Sequence, residues 1–136
     1  MNGQINNQLD LIIEQARAFL ADGGEFYPFG SVVKPDGTLT PIGAYMENDH
    51  PASIDVLKIL QGSLMQSLKR KDIVAGAICL DVLYRPAGSE TSVDALKIMT
   101  LSIEGHSRDY YVPYRNEHGQ YAFGEIISEP GTLKPE

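Results

Sequence analysis

Cys79 and Asp81 lie two residues apart inside an apolar run, Ile73-Val-Ala-Gly-Ala-Ile-Cys-Leu-Asp-Val-Leu-Tyr84, and are the first residues to weigh for chemistry. A carboxylate among apolar neighbours must find a partner or hold its proton to higher pH. Structural ion pairs perturb carboxylates in the same way as active sites do. The preferred expectation therefore places Asp81 at the end of the strand, paired with a nearby Arg or Lys. Covalent catalysis by Cys79 needs a base and an orienting group beside it. Flanked by alanine and isoleucine, the thiol instead reads as a small buried hydrophobe whose pKa tends upward.

Metal and cofactor chemistry have little to stand on. His50, His106 and His118 occur singly, with no histidine pair at helical spacing and no second cysteine, so zinc is not expected. The acidic residues are scattered and show no calcium-loop spacing. Gly23-Gly24 closes a helix rather than opening one, and neither a P-loop nor a dinucleotide fingerprint is present, so no cofactor is expected.

A second set is better suited to contact than to catalysis. Arg108, Tyr110, Tyr111, Tyr114, Arg115, Tyr121 and Phe123 cluster late in the chain, and four of the seven tyrosines fall between residues 110 and 121. Tyrosine and arginine combine wide apolar contact with a hydrogen-bonding tip, which is why they carry interfaces. β-propensity alone would also place tyrosines here. The candidate interface is Thr100, Ser102, Arg108, Tyr110, Tyr111, Tyr114 and Tyr121. The competing reading is a small-molecule enzyme whose pocket lies between a hairpin and a meander, with Glu25, Tyr27, Asp81, His106 and Arg108 as acid, base and anion contacts.

These residues must be held by elements that the pattern makes plain. Ile5, Leu9, Ile12, Ile13, Ala16, Phe19 and Leu20 fall within an arc of roughly 120° at helical spacing, and Asp22-Gly23-Gly24 ends that helix. Phe26 to Tyr45 holds two β-prone runs around Pro35-Asp36-Gly37, a β-hairpin, and Pro41 in its second strand argues for a sheet edge. Asn48 to Pro51 opens a second helix that runs to about Arg70, with Ile54, Leu57, Leu60, Leu64, Met65 and Leu68 as its buried stripe. Ile73 to Tyr84 is apolar on both parities, as in a central strand covered on both faces. Three further strands follow, at 95–104, 109–115 and 120–127, with Pro113 calling for an edge or a bulge.

The fold class is α+β: a single antiparallel sheet of five to six strands, in the order α-β-β-α-β-β-β-β, with both helices on one face. The element order resembles the profilin and roadblock layouts, a likeness of architecture that does not fix function. One domain spans 1–128, and the tail from 129 to 136, with Pro130, Gly131 and Pro135, is expected to pack weakly.

Composition narrows the partners. Eighteen acidic against eleven basic residues give a net charge of −7, which repels nucleic acid and anionic membranes. No apolar run is long enough to span a bilayer, no signal-peptide pattern opens the chain, and a lone cysteine suits a reducing compartment, so a cytoplasmic location is expected. If both helices roof one face, the other needs a second subunit or a protein partner. The functional expectation is a small non-catalytic binding or regulatory module, homodimeric or of the immunity type that neutralises a basic toxin through charge-steered association.

Overall fold

The Pro35-Asp36-Gly37 turn forms where the sequence puts it. In the computed structural model, which describes residues 2–24, 26–43 and 53–134 and side chains from residue 8 onward, it joins β1 (Phe29–Val33) to β2 (Leu39–Ile42). Gly37 takes a φ of 89°, and its N–H donates to the Lys34 carbonyl at 2.8 Å. Asp36 Oδ1 accepts the Thr38 N–H at 2.9 Å, and the bonds from Thr38 hold this exposed carboxyl below its ordinary range. β2 with Pro41 is the sheet edge, as expected.

Helix α1 (Asn2–Gly23) buries Leu9, Ile12, Ala16 and Leu20. It stops at Gly24, whose φ of 77° lets its N–H reach the Leu20 carbonyl at 2.7 Å. The Ile5 side chain and the Asn48–Pro51 helix opening lie outside the described residues. Helix α2 (Ser53–Lys69) buries Val56, Leu60 and Leu64, with Leu57, Met65 and Leu68 packed around them. Ile54, expected in that stripe, is 56 % exposed because it lies about 120° round the helix from Leu60. Val56 takes the buried place instead.

Five strands follow: β3 (Ala75–Tyr84), β4 (Val93–Ser102), β5 (Ser107–Glu117), β6 (Gln120–Phe123) and β7 (Ile127–Pro130). The sheet is antiparallel, in the order β2-β1-β3-β4-β5-β6, with β7 also pairing β5. β3 is central, as its two-sided apolar pattern requires. Pro113 sits where β5 changes outer partners, since β7 pairs residues 108–111 and β6 pairs residues 114–117. Its carbonyl accepts the Gly124 N–H at 2.7 Å, so the missing donor falls on that same outer side, between two partners. His118 and Gly119, at φ of 57° and 89°, form the two-residue turn of the β5–β6 hairpin.

The expectation that both helices share one face is overturned. Ala77 and Cys79 of β3, with Leu96 and Ile98 of β4, pack against Leu9, Ile12, Ala16 and Leu20 of α1. Ile78, Met99 and Leu101 point the other way and pack against Val56, Leu60 and Leu64 of α2. Alternate residues of a strand face opposite sides, so each helix roofs its own face. The premise for a companion subunit over a bare face is thereby lost.

The tail also departs from expectation. The final strand read as 120–127 is two strands, and β7 carries the sheet to Pro130. Beyond it Leu133 is 4 % exposed within the α2-side core. Asp109, buried in β5, accepts the Thr132 N–H at 3.2 Å on Oδ1 and the Thr132 hydroxyl at 2.7 Å on Oδ2. Lys97 Nζ stands 3.9 Å from the same carboxylate. Gly131 passes so close to Ser107 that a Cβ would overlap its side chain and backbone. The segment is strapped to the sheet rather than trailing from it.

Candidate functional site

The residues proposed for catalysis are not brought together. Asp81 pairs with Leu96 across the β3–β4 ladder, whereas His106 follows Ser102, which pairs with Ala75. Six residues along a strand separate those two levels, about 20 Å. His106 is exposed in the β4–β5 turn, and its N–H is bound by the Ser102 hydroxyl at 3.1 Å. His118 caps the opposite tip, in the β5–β6 turn. Arg108 lies level with Thr100, and its guanidinium donates to the Ser128 hydroxyl at 2.6 and 3.0 Å. Tyr27 is 46 % exposed ahead of β1, and Glu25 and His50 lie outside the described residues. Among the described residues no group of three His, Cys, Asp or Glu side chains is placed to hold a metal ion.

Cys79 lies at the centre of the α1-side core. Burial, reinforced by the charge of Asp81, pushes its thiol well above the ordinary value, which suits packing rather than nucleophilic attack.

The tyrosine set divides between the two faces. Tyr110, Tyr114 and Tyr121 pack into the α1-side core with Phe123, and Arg17 of α1 ties them in, its guanidinium 4.7 Å over the Phe123 ring and donating to the Tyr121 carbonyl at 2.8 Å. Tyr111 faces the opposite side, stacked on Tyr84 at 4.7 Å with the Lys97 ammonium 5.7 Å from its ring centre. Thr100 and Ser102 sit towards the other end of the sheet with internal tasks: the Thr100 hydroxyl donates to the Arg108 carbonyl at 2.9 Å. Cross-strand aromatic packing explains most of this set without a ligand.

Asp81 is exposed rather than buried, and it accepts a 2.6 Å hydrogen bond from the Tyr114 hydroxyl. Burial first, then the bond to Asp81 and its charge, push the Tyr114 phenol far above its ordinary 10.0. The folded chain thus holds this proton more tightly than the unfolded chain does. That contribution to stability is complete below pH 10 and is lost progressively as the pH rises beyond it. Replacing Tyr114 with phenylalanine is expected to flatten the fall of unfolding free energy at alkaline pH and to remove the last step of a near-ultraviolet tyrosine titration. An unchanged alkaline limb in the variant would contradict this assignment.

What the sequence did not single out is the end of the sheet at which β5 leaves β4. The β4–β5 ladder stops at the Ala95–Pro113 pair, and residues 114–117 of β5 continue with β6 alone. The splay opens a cleft of about 410 Å³ lined by Val93, Pro113, Tyr114, Arg115, Ala122, Phe123 and Gly124. Its walls are largely apolar, and Arg115 at the rim is paired with Glu117. Leu83, 74 % exposed, lies directly across the ladder from exposed Asp94, which is close enough to act electrostatically on Tyr114. Exposed Glu125 and 46 % exposed Ile126 follow Gly124 on the far side. The available sequence signal was Leu83 itself, which shares the parity of Ala77 and Cys79 in β3 but lies beyond the end of the core they build.

Among the described residues no helix is long and apolar enough to cross a membrane. Comparison with protein-family models, with curated proteins and with solved structures finds no match to this chain.

Proposed function

We propose that the protein is a small cytoplasmic, non-catalytic binding module whose partner is a positively charged protein. One observation carries this reading: at the splayed end of the sheet, the exposed apolar side chains Leu83 and Ile126 stand beside the carboxylates of Asp94 and Glu125. Apolar contact supplies affinity once water is displaced, while carboxylates around it select a basic partner and accelerate encounter. The net charge of −7 extends that steering field over the whole molecule. Neutralisation of a basic toxin is one role that such a surface suits.

Self-association is the weaker form of the same reading. A two-fold interface built on this surface would set one net-acidic patch against the same patch of the other copy.

The test is affinity capture from the native lysate at low salt. The expected result is a stoichiometric basic protein that is released as salt screens the attraction. Capture of no such partner, or of one indifferent to salt, would overturn the proposal.

A further inference from the structure

We infer that the cleft between the start of β4 and the β5–β6 ribbon is the anchor pocket of that surface, and that it receives an apolar side chain flanked by lysine or arginine on the partner polypeptide. This inference rests on the binding reading above and specifies its site and chemistry. Three observations converge on it.

The first is shape. The cleft exists because the backbone pairing of β4 and β5 ends at Ala95–Pro113 while β5 continues with β6. It is therefore built into the sheet topology. Its volume of about 410 Å³ lies at the small end of the roughly 300–1,000 Å³ typical of ligand pockets, which suits one or two side chains.

The second is the character of the walls. Val93, Pro113, Ala122 and Phe123 present hydrocarbon. Tyr114, also in the lining, already donates its hydroxyl to Asp81. An aliphatic or aromatic anchor can therefore bury itself there without breaking an existing bond, as hot-spot residues do in desolvated pockets.

The third is charge. Exposed Asp94, which follows Val93 in β4, is close enough to act electrostatically on Tyr114 of the lining, and exposed Glu125 follows Gly124 of the lining beyond the end of β6. The cation in the lining, Arg115, is matched by Glu117. Arg17, over the Phe123 ring, is paired with Glu14, and Arg85 lies beyond the end of β3, so that Asp94 and Glu125 together leave the balance negative. A second copy of this chain would bring a surface of the same net sign against Asp94 and Glu125, whereas lysine or arginine on either side of an anchor meets opposite charge.

The probe is a synthetic peptide, Lys-Arg-Phe-Leu-Arg-Lys, titrated into the full chain and followed by amide NMR shifts. Saturable shifts are expected at residues 93, 113–115 and 122–124. Ala122→Arg, which fills the cleft and adds charge of the ligand's own sign, should weaken binding at least about tenfold. Asp94→Lys with Glu125→Lys, both at exposed positions, should weaken it comparably while the circular dichroism spectrum stays unchanged. Asp36→Lys, in the hairpin turn, should leave the shift pattern at the cleft unchanged.

Shifts centred elsewhere, equal binding by the Ala122→Arg and double-lysine variants, or no saturable shifts at all would overturn the pocket assignment. Salt-sensitive capture of a basic partner from lysate that survives in those same variants would leave the binding reading standing with its site elsewhere. Concentration-dependent dimerisation abolished by Ala122→Arg would assign the cleft to a second copy and overturn the basic-partner inference.

Discussion

Replacing Asp109 with alanine is expected to destabilise the protein by about 3 kcal/mol, because a buried carboxylate with several partners leaves each of them unsatisfied when it is removed. Asp109 is 2 % exposed and holds the Thr132 N–H, the Thr132 hydroxyl and, at 3.9 Å, the Lys97 ammonium. Without it, the partly buried Lys97 loses its counter-charge and Thr132 loses both bonds. The consequence spreads beyond the pair, since Thr132 positions Leu133 in the α2-side core. Chemical denaturation should show a lower midpoint, and hydrogen exchange should quicken through residues 127–133 before it does elsewhere. Thr132→Val, which keeps the shape and removes one hydroxyl bond, should cost only about 1 kcal/mol. An Asp109→Ala variant with an unshifted midpoint would show that the strap does not depend on this carboxylate.

The second large effect concerns the contact between α2 and the sheet. Leu64 is 1 % exposed, and Gly76 lies directly beneath it, so close that a Cβ at residue 76 would overlap Leu64 Cδ1. Leu64→Ala should cost about 3 kcal/mol through lost transfer energy and the cavity left behind. Gly76→Ala should cost about 1–3 kcal/mol, because the added methyl forces Leu64 or the helix to move. Combined, the two changes should be less harmful than their sum by about 1–2 kcal/mol, since the new methyl enters space that the leucine has vacated. Additive costs in a double-mutant cycle would mean that α2 does not rest on β3 at this point.

Both predictions concern features that local sequence patterns do not display. Asp109 reads as an ordinary polar residue at the start of a strand, and its partner Thr132 is twenty-three residues away. Gly76 reads as one small residue within an apolar run, and its importance comes from a helix that precedes it in the chain. The same applies to the candidate site. Val93 and Ala122 belong to separate stretches and line one cleft only because β5 leaves β4 after Pro113, while Leu83 meets Asp94 only across the β3–β4 ladder. By contrast, the tyrosines that stand out in the sequence lie on consecutive strands and satisfy one another in packing.

The amino-acid sequence alone determined the elements: the hairpin from Pro35-Asp36-Gly37, the helix end at Gly24, the edge strand through Pro41, and the central place of β3 from its apolar residues on both parities. These depend on steric and hydrophobic preferences that act within a few residues. That two-sided pattern even implied two covered faces, and two amphipathic helices were available to cover them. Which face each helix took was decided by the tertiary structure, because an amphipathic stripe records that a helix must be covered but not by which side of the sheet. The strap at Thr132 and the cleft at the splayed strands were likewise settled in three dimensions, where a hydrogen bond or a gap depends on chain segments that sequence spacing does not relate.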